Sequence, residues 1–82
     1  MQEYDIDKCS IDISKHFRNK YMRMWNWDMN DLREAIKNAY KVDKLGKNKY
    51  EIYTKSGDSK KLIFVYYKEY ETIFLISGAE KK

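Results

Sequence analysis

The stretch Lys61-Leu62-Ile63-Phe64-Val65-Tyr66-Tyr67 decides how the rest of the chain is read. It is the most apolar run in the sequence and is rich in β-branched and aromatic residues, which fit a pleated sheet better than a helix. An apolar run without alternation predicts a central strand buried on both faces. Neighbouring strands are therefore expected on either side of it.

Both flanks supply them. On the C-terminal side Lys68-Glu69 interrupts the run, and Thr72–Ser77, with Ile73, Phe74, Leu75 and Ile76, predicts a last strand before Gly78 and a charged tail. On the N-terminal side Ser56-Gly57-Asp58-Ser59 predicts a turn, because glycine tolerates positive φ and short polar side chains bond to local backbone. Before it, Val42 and Leu45, then Gly46-Lys47-Asn48, then Tyr50, Ile52 and Thr54 read as a hairpin. No proline occurs to demote any of these strands to an edge.

Upstream of Tyr40 the period is helical. Ser14 is positioned to cap a helix from Lys15 to about Met24, on which Phe17, Tyr21 and Met24 form one stripe and His16, Lys20 and Arg23 an adjacent basic one. After Trp25-Asn26-Trp27 breaks that pattern, Asp28 and Asp31 mark the start of a second helix. Leu32, Ala35, Ile36 and Ala39 form its apolar face, with Arg33, Glu34 and Lys37 on the wet side. The first 13 residues alternate aspartate with isoleucine and predict an extended lead-in or a short edge strand. The expected fold is α+β, one domain over 1–82: lead-in 1–13, two N-terminal helices in 14–39, a three- to four-stranded antiparallel sheet in 40–77 and a tail in 78–82.

Composition narrows the function classes. With 43% hydrophobic residues in 82, the chain can build one core and not two, which excludes global disorder. The single cysteine, Cys9, has no intramolecular partner, and no Cys/His spacing suits zinc, so a reducing compartment and a fold without metal or cofactor are expected. No apolar run approaches the ~18 residues of a membrane helix, and Met1–Ser10 lacks a signal-peptide core, so the expected location is cytoplasmic. No Walker loop, dinucleotide glycine pattern or HExxH is present. A net charge of +4 favours an anionic partner.

Two groups of residues carry chemistry. His16 is the only histidine and the default acid–base candidate. Arg18, Lys20 and Arg23 on the same helix are able to hold a phosphate. Lys44, Lys47, Lys49, Lys55, Lys60 and Lys61 flank the sheet turns beside Tyr50, Tyr53, Tyr66, Tyr67 and Tyr70, an interleaving that suits single-stranded RNA. The bland alternatives are a solvated basic face and a histidine without a role, and strand alternation sends half of those tyrosines to the core.

The helix Ile13-Ser-Lys-His16-Phe-Arg18-Asn-Lys-Tyr-Met-Arg23, followed by Asp28-Met-Asn-Asp-Leu32-Arg-Glu-Ala-Ile36 and the three strand segments at Lys49–Tyr53, Leu62–Tyr66 and Thr72–Ile76, resembles a family of small domains of unknown function. That family is similar to the RelE-like toxins of the barnase–EndoU–colicin–RelE group of metal-independent ribonucleases. The resemblance covers about residues 13–77. It implies a RelE-like fold and RNA cleavage by the 2′-hydroxyl. His16 would be acid or base and Arg23 the group on the phosphorane, with Arg18, Lys20, Lys47, Lys49 and Tyr50 holding RNA. Its implied partners are RNA, free or ribosome-bound, and an antitoxin protein. Trp25-Asn26-Trp27 departs from the family's Arg-Gly turn, and Ile76-Ser77-Gly78 from its Thr-x-Tyr ending. The rival expectation is a non-catalytic protein-interaction module, as in an accessory protein of a virus, plasmid or defence system. Duplex DNA binding through the first helix ranks third.

Overall fold

A computed structural model describes residues 4–56 and 58–81. The fold is α+β, with one five-stranded sheet and two helices on one of its faces. The strands are β1 (Ser10–Ile13), β2 (Lys41–Lys44), β3 (Lys49–Ser56), β4 (Asp58–Tyr67) and β5 (Thr72–Lys81), in the spatial order β1-β5-β4-β3-β2. β2 to β5 are mutually antiparallel, and β1 runs parallel to β5, pairing Ile11 with Ile73 and Ile13 with Leu75. The sheet is thus mixed and five-stranded, where three to four antiparallel strands were expected, and a strand precedes the helices. The proposed edge strand in the lead-in is β1. The expected charged tail is instead, through Lys81, the end of β5, which pairs Gly78 with Leu62 and Glu80 with Lys60, and its last residue, Lys82, lies outside the described residues. Gly57, the residue expected to make the β3–β4 turn, lies outside the described residues, as do Met1–Glu3 of the lead-in.

β4 is central, but only one of its faces is covered. Leu62, Phe64 and Tyr66 are buried with Ile73 and Leu75 of β5, Tyr50, Ile52 and Thr54 of β3, and Ile11 of β1. The alternate residues Ile63, Val65 and Phe74 are only half-buried, so the expectation of two buried faces fails. An apolar run cannot distinguish a doubly covered strand from one whose outer face is apolar and open.

The first helix, α1 (residues 15–25), starts on Ser14, whose hydroxyl accepts from the Phe17 amide at 3.0 Å. Its α turns Lys15–Phe17 and Arg23–Trp25 flank a π segment, Arg18–Met22. A π segment carries one residue more than an α turn, which changes the facing of everything after it. Met22 is therefore buried with Phe17 and Tyr21, and Met24 faces solvent, contrary to the expected Phe17–Tyr21–Met24 stripe. Asn26 then takes a left-handed conformation with φ 55°, which asparagine tolerates, and ends the helix. α2 (Met29–Lys37) opens on a reciprocal capping box between Asp28 and Asp31, at 2.8 and 3.0 Å, and buries Leu32, Ala35 and Ile36. Arg33 is not on the wet side as expected: its guanidinium donates to the carbonyls of Ile6 and Cys9 and ties the lead-in to α2. Among the described residues no helix is long and apolar enough to cross a membrane.

α1 sits close to β5 because Gly78 has no side chain. A Cβ there would lie 2.9 Å from the Lys61 carbonyl oxygen and 3.3 Å from ring atoms of both Phe17 and Trp25. Backbone cannot yield as a flexible side chain can, so Gly78→Ala is expected to cost about 1–3 kcal/mol by overpacking. A urea midpoint unchanged from wild type would show that the helix sits further from the strand.

Tyr4 plugs the open end of the core, meeting Phe64 edge-on at 5.3 Å and Tyr50 at 5.6 Å. Its hydroxyl is buried with no hydrogen-bond partner among the described residues, and burial, assisted by nearby Cys9, pushes its pKa from 10.0 up to about 12. The folded state thus favours the neutral phenol. This stabilisation is complete below pH 10 and is lost as the pH rises from 10 toward 12. Between those values wild type is expected to lose stability faster than Tyr4→Phe in parallel urea titrations, and equal slopes would contradict this.

Candidate nucleic-acid interface

Because both helices pack on one face, the other is left open, and register fixes what it displays. Val65 pairs with Phe74 and Lys49, Phe74 with Asp12, and Tyr67 with Thr72, so these side chains share the open side. Partners across strands point the same way, and neighbours along a strand point oppositely. The face is apolar along β4 and β5 and charged toward β3 and β2.

At one end of this face, the 3₁₀ turn Lys68–Tyr70 joins β4 to β5 and pushes two rings into solvent. Tyr67 is 45% exposed and Tyr70 75%. Glu71 closes the turn in a left-handed conformation with φ 46°, and the Thr72 hydroxyl donates to the Tyr70 carbonyl at 3.0 Å. Tyr67 and Tyr70 together line two adjoining clefts. One, of about 390 Å³, is completed by Lys47, Asn48, Lys68 and Glu69, and the other, of about 290 Å³, by Asp12, Thr72 and Phe74. Two exposed rings thus form a ridge with Lys47, Lys68 and Glu69 on one side and Phe74, Thr72 and the Asp12 carboxylate on the other. The β2–β3 hairpin is held against this ridge by the Tyr66 amide, which donates to the Asn48 carbonyl at 2.8 Å.

The residues singled out from the sequence divide into separate groups. Lys47 lines the cationic cleft, and Lys49 is exposed on the open face beside Val65. Tyr50, one position on, has the opposite parity. It is 4% exposed, with its ring stacked on Phe64 at 5.5 Å, and so offers no free face to a base in the folded chain. His16, Arg18, Lys20 and Arg23 are all exposed on α1, in the helical layer that covers the opposite side of the sheet. They do not form one stripe. Five-residue spacing through the π segment places the His16 ring 5.9 Å from Tyr21, and Arg18 with Arg23 on a shallow groove of about 470 Å³ beside Met22, Trp27 and Met29. His16 does not line that groove. Lys20 stands over the Tyr21 ring at 5.2 Å.

Sequence reasoning placed Lys60 among the basic groups of a loop end, and the structure corrects this. Lys60 is 6% exposed, its ammonium 5.5 Å from the Trp25 ring, 6.0 Å from Trp27 and 3.9 Å from Glu80. Trp25-Asn26-Trp27, which broke the helical period, folds the two indoles over this lysine. Among the described residues no three His, Cys, Asp or Glu side chains gather where they could hold a metal ion. Comparison with protein-family models, with curated proteins and with solved structures gave no match.

Proposed function

We propose that this chain is a single-stranded RNA-binding domain whose binding surface is the open sheet face at Tyr67 and Tyr70. The observation that carries the reading is the shared ridge: two solvent-exposed rings, held by a short turn, with Lys47 and Lys68 on one flank and Lys49 on the adjoining strand. Bases stack on the rings, and the lysines follow the phosphates. The contact tolerates varied sequence because every base has a π face. The RelE-like resemblance of residues 13–77 names the same class of ligand. Its cleavage chemistry asks for His16 and Arg23 on one phosphate, and the separation of His16 from the Arg18–Arg23 groove favours binding without cleavage.

The test is fluorescence anisotropy with a labelled single-stranded RNA dodecamer in EDTA. The three lysine–phosphate contacts of this ridge alone give a slope of log affinity against log salt of roughly −2 for a single strand, and any further contact makes it steeper, so roughly −2 is the least steep slope expected. The RNA is expected to remain uncut, to bind with that slope or a steeper one, and to lose most of its affinity when annealed into a duplex, which hides its base faces. Absence of binding at low salt would overturn the reading. Cutting abolished by both His16→Ala and Arg23→Ala would replace it with the ribonuclease reading.

A further inference from the structure

The open face ends, on the side away from Tyr67, in a second aromatic and largely basic concavity of about 590 Å³, lined by Tyr40, Lys41, Tyr53, Ser59, Lys61 and Ala79 together with the Lys60–Glu80 ion pair. Register places Lys41, Tyr53, Lys61 and Ala79 in one row across β2, β3, β4 and β5. Tyr50, Ile52 and Thr54 point into the core, so Tyr53 and its row belong to the open side with Val65 and Phe74. We infer that this concavity is a second seat for the same RNA strand, so that one strand crosses the sheet face from the Tyr67–Tyr70 ridge to Tyr40 and Tyr53. The inference rests on the RNA reading above.

Three features support it. First, the ring chemistry repeats. Tyr40 is 58% exposed and lies 6.4 Å from the Tyr53 ring, with the Lys55 ammonium 5.9 Å from Tyr40 and that of Lys41 5.2 Å from Tyr53. Second, the cations there are loosely held. Lys41 and Lys61 reach Asp43 and Glu51 only at 3.7 and 3.8 Å, long for ion pairs, and both lysines keep solvent access through which a phosphate can reach them. Glu51, which faces Asp43 across β2 and β3 on this side of the sheet, also accepts a hydrogen bond from the Tyr53 hydroxyl. That bond, with burial adding to it, pushes the Tyr53 pKa up to about 12. Third, the ground between the two seats along β4 and β5 is half-buried and apolar at Ile63, Val65 and Phe74, with the carboxylates Glu51 and Asp43 beside Ile63 on β3 and β2. From Tyr67 to Lys61 the strand advances about 20 Å. A stacked single strand rises ~3.4 Å per nucleotide, so a dodecamer spans both seats and a trinucleotide does not.

The experiment is ultraviolet crosslinking of the bound dodecamer followed by peptide mass spectrometry, with affinity measured in parallel for Tyr40→Ala. Crosslinks are expected on peptides holding Tyr40 or Tyr53 as well as on those holding Tyr67 or Tyr70. Tyr40→Ala should weaken dodecamer binding about fivefold or more. Crosslinks confined to Tyr67 and Tyr70, with Tyr40→Ala within twofold of wild type, would overturn the second seat and leave the first standing. No binding by wild type would remove the RNA reading itself, and this inference with it.

Discussion

Replacing Tyr67 and Tyr70 together with alanine is expected to weaken binding of a single-stranded RNA by about 30-fold or more, since each stacked base contributes ~1–3 kcal/mol. Both side chains stand in solvent at the β4–β5 turn and neither belongs to the core cluster, so the double variant should melt close to wild type. That separation makes the result interpretable. A large loss of affinity at unchanged melting temperature assigns the ridge to the ligand. Affinity within twofold of wild type would move the binding surface elsewhere, with the Arg18–Arg23 groove the next place to look.

The largest effect on stability is expected at Phe64. Its ring is fully buried, stacks on Tyr50 at an interplanar angle of 21° and is met edge-on by Tyr4. Truncation to alanine removes about 3–5 kcal/mol, where a domain of this size has about 5–15 in all. At about 4–8 °C per kcal/mol, melting should fall by about 12–40 °C. The informative comparison is with its neighbours. Leu62→Ala should cost about 2–5 kcal/mol, whereas Ile63→Ala, on the half-buried face, should cost much less. Equal losses at Leu62 and Ile63 in calorimetry would mean that both faces are covered, and the open-face account of function would lose its basis.

Much of the fold was legible because its signals are local. Ser14 and Asp28 announce their helices through capping chemistry, and the hairpin around Gly46-Lys47-Asn48 follows from alternation on either side of a turn. Features that depend on distant contacts were not legible. The parallel pairing of β1 with β5 joins residues 62 apart in sequence, such as Ser10 and Thr72, and leaves no local mark. Ser77-Gly78-Ala79-Glu80 has weak strand propensity and becomes strand only because β4 extends beside it. Nothing in Arg18–Met22 announces a π segment, yet it decides that Met22 is buried and that Arg18 pairs with Arg23 around one groove.

The candidate site divides in the same way. Lys47, Lys49, Tyr67 and Tyr70 were visible as basic and aromatic residues near turns, and the structure brings Lys47 together with both tyrosines. Parity alone could have removed Tyr50, since it alternates in step with Ile52 and Thr54 and so points inward with them. Lys60 could not have been separated from Lys61 in this way, because a lysine reads as a surface residue until the tryptophans that cover it are placed. His16 drew attention as the only histidine, a property of composition, and composition does not bring side chains together.

The central claim is that RNA lies on the open sheet face at the β4–β5 turn. It is tested most directly by following backbone amide chemical shifts while a single-stranded RNA dodecamer is added to the isotopically labelled chain. The account predicts progressive shifts at Lys47, Tyr67, Tyr70 and Phe74, with the helix around His16 unmoved. Shifts confined to His16–Arg23, or none at saturating RNA, would contradict it.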